Sequence, residues 1–236
     1  MPEFPSRADI QKTLLNGVLR IDFPYEQFGK VDSLDLFCLN ELTLFAFYSI
    51  NRNRYKRALD IGANIGLHSI IMSRLGWSVI AYEPDPVHYG IMRRNIDSNL
   101  VSVGSSRSAV SDSDAEASFV RVLGNTTGSH IEGFKRPHGE TEKVTVTTTD
   151  AKRQFNWADF AKIDAEGHEV VILSRLDSPC EVMVEVGSRE NGEKLFEMFH
   201  GKRHMACQHM KWKSPKTKED MPEHHSMGSL FIGAVV

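Results

Sequence analysis

The chain has 236 residues, 41 % hydrophobic and 25 % charged, the usage of an ordinary globular domain. Twenty-eight Lys and Arg against 31 Asp and Glu leave a net charge of −3, which argues against a phosphate-tracking nucleic-acid binder. The apolar runs fall far short of the roughly 20 residues that cross a bilayer. The N-terminus, MPEFPSRADIQK, has no apolar leader, and Cys38, Cys180 and Cys207 have no close pairing, so a cytoplasmic protein without a disulfide scaffold is expected.

No repeat or linker divides the chain. Residues 9–30 mix Leu14, Leu15, Val18, Leu19, Ile21 and Phe23 with polar groups, and Leu34 to Ile50 is apolar and helix-length. Residues 1–50 are therefore expected to form an N-terminal extension packing on a core of residues 51–236. Strand and helix then alternate: strands at 57–61 and 78–82, helices at 67–75 and 86–100, and a weak strand within 101–110. They resume with strands at 160–163 and 181–186 and helices at 168–176 and 193–200. Strands at 205–212 and 228–236 complete the chain. Such alternation predicts an α/β fold, a mostly parallel seven-stranded sheet with helices on both faces. Residues 113–148, rich in Ser, Thr, Gly and Asp and ending in KVTVTTTD, interrupt it as an insertion.

The segment ALDIGANIGLHSI reads as strand, turn and helix. Asp60 ends the strand, Gly62 and Gly66 bracket the turn, and Asn64 lies between them. Glycines there let a ligand approach the backbone at the carboxyl edge of the sheet. A dinucleotide fingerprint would be G-x-G-x-x-G, and an acid before the first glycine disfavours a pyrophosphate. Glu83 ends the next strand (AYEPDP), where a carboxylate can take two ribose hydroxyls. A nucleoside carrying positive charge and no diphosphate fits, and S-adenosylmethionine meets that description. A nicotinamide oxidoreductase would need the missing pyrophosphate turn.

LDIGANIGLHS, VIAYEPDPVHYGIMRRNI, SAVSD, VTTTDA, AKIDAEGHEVVIL and VMVEV, between Leu59 and Val186, together resemble the FkbM family of S-adenosylmethionine-dependent methyltransferases. The resemblance implies a Rossmann-like class I methyltransferase fold with sheet order 3-2-1-4-5-7-6. It implies O-methylation of a hydroxyl on a carbohydrate or other small molecule. It places Asp60, Gly62 and Gly66 on the methionine side of the cofactor and Glu83 on the ribose, with Asn64 of the same turn also expected to bind the cofactor. Ser108 to Asp112 are placed near the adenine. A non-catalytic nucleoside-binding module of the same fold is the alternative. Neither the acceptor nor the oligomeric state is legible.

AKIDAEGHEVVIL is again strand, turn and helix at the same edge. Lys162 and Asp164 share one side of the strand, and Glu166 and Glu169 sit at the helix entry, where carboxylates suit the dipole. An alcohol must lose its proton as it attacks, so a base is required. Asp164, Glu166 and His168 are the candidates. The family motif usually has a small or apolar residue at the position of His168.

Other signals are set aside. Pro179-Cys180 precedes its strand and reads as a buried structural thiol. No N-P-P-Y follows the strand of Asp164. His204, Cys207, His209, His224 and His225 could suggest zinc, yet their spacing spreads over strand faces and no metal is expected. KWKSPKTKED reads as a solvated loop, and His68 as a packed helix residue.

Overall fold

A computed structural model describes residues 2–15, 17, 20–136, 139–202, 204–222 and 228–234. The N-terminal segment holds α1 (Arg7–Leu15), the two-residue strands β1 (Gln27–Phe28) and β2 (Val31–Asp32), and α2 (Leu39–Ile50). Val18 and Leu19 lie outside the described residues. The main sheet takes β3 (Arg57–Ile61), β4 (Ser78–Tyr82), β5 (Val103–Ser106), β10 (Phe160–Ile163), β11 (Glu181–Glu185), β12 (His204–Gln208), β13 (Lys211–Lys213) and β14 (Ser229–Ile232). The insertion carries β6 (Ser108–Ser111), β7 (Ala115–Val122), β8 (His130–Ile131) and β9 (Thr141–Asp150). The remaining helices are α3 (Leu67–Arg74), α4 (Pro86–Ser98), α5 (Ala151–Trp157), α6 (Glu169–Leu173) and α7 (Arg189–Met198).

The order across the main sheet is β13-β12-β14-β11-β10-β3-β4-β5. From β5 to β12 this is the expected 3-2-1-4-5-7-6, with β14 antiparallel between β11 and β12. The sheet is eight-stranded rather than seven-stranded. Residues 205–212 do not run as one strand: His209 and Met210 both adopt positive φ (50° and 60°), turning the chain into the β12–β13 hairpin. The weak strand at 101–110 also divides. β5 stays in the main sheet, while β6 pairs in parallel with β9 in a second sheet of order β6-β9-β7-β8.

The central strands are buried on both sides, hence their near-continuous apolar runs. Leu59 and Ile61 of β3 face a layer holding Phe155, Ile172 and Leu195 of α5, α6 and α7. Ala58 faces the opposite layer, with Phe47, Ile70 and Met92 of α2, α3 and α4. Caps set the helix starts. Asp85 accepts the amides of Val87 (2.8 Å) and His88 (3.2 Å) ahead of α4, with Pro86 leading. Asp150 accepts Lys152 N–H (3.0 Å) ahead of α5, a helix absent from the sequence reading.

The insertion is fastened to the β4–α4 corner. Arg121 of β7, half-buried, donates Nε–H to the buried Asp85 (2.7 Å), and His88 Nε2 lies 2.8 Å from the Thr126 hydroxyl. The N-terminal segment joins it at Gly29, where Lys30 N–H donates to Gly124 O (2.9 Å). A Cβ on Gly29, whose φ is +82°, would stand 2.3 Å from that carbonyl.

Candidate active site

Strands β3, β4, β10 and β11 end at one edge, and the first residues beyond β3, β4 and β10 together with Glu185, the last of β11, line a two-chambered cleft. Gly62, Asn64, Thr127, Asp164 and Glu166 line both chambers and form the partition. The turns of the partition are tight. Gly62 has φ +75°, and a Cβ there would stand 1.8 Å from Asp164 O. Asn64 (φ 51°) and Glu166 (φ 49°) hold left-handed backbone without being glycine, the kind of strain that gathers at functional sites.

The smaller chamber, about 70 Å³, runs from Glu83 past Ala109 and Val110 to Ser129, His130 and Ile131. Glu83 is 6 % exposed. Its Oε2 accepts Asn64 N–H and its Oε1 accepts Asp85 N–H, each at 2.8 Å. Burial pushes its carboxyl up to about 8 despite those two amides. His168 lies at this end too, its Nε2 3.0 Å from Ser111 Oγ and the Phe134 ring edge-on at 4.3 Å. Burial pulls its imidazole down to about 4.

The larger chamber, about 590 Å³, lies on the side of α2 and α3. Its walls include Lys30, Asp35, Glu41, His68, Lys162 and Glu185. Lys162 Nζ sits 3.4 Å from Asp164 Oδ2 and 3.9 Å from Asp60 Oδ1. Burial alone would lower its ammonium, but Asp164, Asp60, Glu41 and Glu185 outweigh burial and raise it. Burial raises Glu166 to about 7, reinforced by Asp164 and opposed by the ion pair with Lys135.

The residues singled out from sequence thus separate by place. Gly62, Asn64, Asp164 and Glu166 form the partition, and Glu83 and His168 stand in the smaller chamber. Asp60, fully buried, lines neither chamber: it accepts the Ser69 hydroxyl (2.5 Å) and so ties β3 to α3. Gly66 caps α3 and packs on Met92. Asp112 is exposed and takes hydroxyl bonds from Ser111 and Ser113. Ser108 bonds Thr149 inside the second sheet. Glu169 accepts Gly167 N–H (2.8 Å) and Asn191 Nδ2–H (2.7 Å), so it braces the turn.

Sequence reasoning missed the insertion's part in the smaller chamber, where Phe119, Thr126, Ser129, His130 and Ile131 stand beside Glu83. It also missed Glu41, which contacts His68 Nε2 at 2.6 Å while Tyr48 Oη lies 2.9 Å from His68 Nδ1. No local motif announces either, because each joins segments distant in the chain. Among the described residues no three His, Cys, Asp or Glu side chains gather as a metal site, and His224 and His225 lie outside them. No described helix is long and apolar enough to cross a membrane.

The strand order with its antiparallel insertion, the glycine turn after β3 and the carboxylate ending β4 define a Rossmann-like class I methyltransferase. Residues 60–211, more than half of the chain, match the family model described as the methyltransferase FkbM domain, and the chain belongs to that family. Its methyl donor is S-adenosylmethionine. Among solved structures, human methyltransferase 10 domain containing protein is similar over 97 % of this chain and 97 % of its own, with 12 % identity and a TM-score of 0.52. The N-terminal domain of human METTL16 is similar over 97 % and 81 %, with 13 % identity and a TM-score of 0.50. At such identities the likeness is one of fold. No curated protein matches the chain.

The lining of the smaller chamber offers groups that a nucleoside would use. Each Glu83 oxygen accepts one backbone amide and keeps a lone pair for a ribose hydroxyl. Asn64 Oδ1 is buried without a hydrogen-bond partner among the described residues, on the partition where the donor's polar tail would pass.

Proposed function

We propose that this chain transfers the methyl group of S-adenosylmethionine to a hydroxyl of a carbohydrate or other small molecule. The observation that carries this reading is the shared partition: a ribose-type carboxylate stands on one side, and a chamber on the other that includes Asp35, Glu41, Lys162 and Glu185 is large enough for a sugar-sized acceptor. Its carboxylates accept hydrogen bonds, which suits the O–H donors of a polyol. When bound, the donor supplies an electrophilic methyl on a sulfonium.

The protein's tasks are then orientation, exclusion of water and removal of the hydroxyl proton. Glu166 is the proposed base. Its carboxyl, held near 7, ionises at working pH yet stays basic enough to take a proton. Asp164, anchored by Lys162, orients the attacking hydroxyl. His168, neutral and bonded to Ser111, belongs in this reading to the nucleoside end. Residues 51–236 are read as the cofactor-binding domain and 1–50 as an extension that helps build the acceptor wall through Lys30, Asp35 and Glu41. The absence of a disulfide among the three cysteines suits a cytoplasmic setting.

Calorimetric titration with S-adenosylhomocysteine tests the donor side. Glu83→Ala should weaken binding by about 1–3 kcal/mol, the loss of charge-assisted hydrogen bonds. Screening glycosides with a labelled methyl donor tests the acceptor side. Glu166→Gln should lower turnover at least 100-fold, the order expected for a lost general base, with S-adenosylhomocysteine affinity unchanged. Equal loss of both would move Glu166 from chemistry to binding. Donor binding without transfer to any acceptor would favour the non-catalytic module.

A further inference from the structure

The insertion contributes a histidine to the smaller chamber. His130, on β8, is 2 % exposed and lines the chamber together with Glu83, Ala109 and Val110. Its Nδ1 lies 3.0 Å from the carbonyl oxygen of Gly128. A carbonyl only accepts, so Nδ1 must carry the proton and donate it. In the neutral ring Nε2 is then a bare acceptor. That nitrogen is buried and has no hydrogen-bond partner among the described residues. A buried acceptor left unpaired costs folding energy, and such exceptions call for an explanation at the site that holds them.

The position of the chamber supplies one. With the ribose on Glu83, the base extends along Ala109 and Val110 toward the insertion. The exocyclic amine of adenine is a donor in need of an acceptor. We propose that His130 Nε2 accepts the adenine amino group and makes the insertion the reader of the donor's base; this rests on the donor reading given above. The tautomer gives the contact its selectivity. A 6-oxo purine would turn a carbonyl oxygen toward a nitrogen lone pair, losing the bond and adding repulsion, and sites built around one polar partner discriminate strongly against its absence. The hydrogen bonds that fasten the insertion, from Arg121 to Asp85 and between Thr126 and His88, hold β8 at the required height.

The test compares S-adenosylhomocysteine with S-inosylhomocysteine by calorimetry. The wild type should bind the adenosyl compound at least tenfold more tightly. His130→Phe, which keeps ring volume and removes the acceptor, should weaken the adenosyl compound roughly tenfold and bring the two ligands within about threefold of each other. His130→Gln, whose amide oxygen can accept, should restore part of the preference. A wild type that binds both ligands equally overturns the proposal and leaves the donor reading standing. So does a phenylalanine variant that keeps its preference, which would place the discrimination on His168. Binding of neither ligand to the wild type overturns both readings. If the phenylalanine variant does not fold, the 15N imidazole spectrum of the wild type decides. His130 Nε2 should resonate as an unprotonated nitrogen and shift on adding S-adenosylhomocysteine, and a protonated or unmoved Nε2 overturns the assignment.

Discussion

In the proposed reading, Glu83 couples donor binding to pH. Its carboxyl, pushed up to about 8, is largely protonated at neutral pH in the free protein. Because burial raises it above the usual value of 4.5, its ionisation destabilises the free fold as pH climbs between those two values. Ribose hydroxyls donate to the ionised form, so donor binding favours loss of that proton. Affinity for S-adenosylhomocysteine should therefore rise from about pH 6 to about pH 8 and level off above. Near neutrality, titrations in two buffers of different ionisation heat should show protons released on binding, and Glu83→Gln should abolish the release. Proton uptake, or no linkage at all, would contradict a carboxyl waiting for hydroxyl donors.

Among the elements, α2 belongs to the core as fully as any strand. Phe45, Phe47 and Tyr48 are wholly buried, and the Phe47 ring meets Phe4, Tyr55, Phe160, Trp212 and Phe231 at centroid distances of 5.8–6.4 Å. Phe47→Ala should cost about 3–5 kcal/mol in urea unfolding, the range for a core phenylalanine whose site cannot collapse. A loss under about 1 kcal/mol would make α2 an appendage. The strands β3, β4 and β10 were legible to the residue, because buried parallel strands are short apolar runs between turn signals. Helix α5 was missed: its seven residues, AKRQFNW, carry little periodicity, and its start is marked only by Asp150. The hairpin at His209–Met210 was missed because neither residue is the glycine or asparagine such a turn favours. In the cleft, Glu83, Gly62, Asn64, Asp164 and Glu166 could be singled out because they lie in the turns that follow β4, β3 and β10. His130 and Glu41 reach the cleft only through tertiary packing, which no local spacing encodes.

At the scale of the whole molecule, three distant segments close one cleft. The smaller chamber, about 70 Å³, is lined from the insertion by the turn carrying Thr126, Thr127, Ser129, His130 and Ile131. An adenosine bound in this chamber would press directly on that turn. Adding S-adenosylhomocysteine should change amide hydrogen exchange over residues 124–131 and leave β3 and β10 unaffected. Unchanged exchange there would mean that the nucleoside sits elsewhere.

The placement of β14 between β11 and β12 also bears on how the chain is made. Leu230, Phe231 and Ile232 are almost wholly buried, and they pair with both neighbours at once. As the nascent chain lengthens, β3, β4 and β5 can assemble early, since each pairs with the next. Strands β11 and β12 have no such recourse: until residues 229–232 leave the ribosome, each presents an open hydrogen-bonding edge to other chains. Closure of the sheet therefore waits on β14, the strand synthesised last of the three. An edge left open in this way is where a nascent chain is exposed to aggregation.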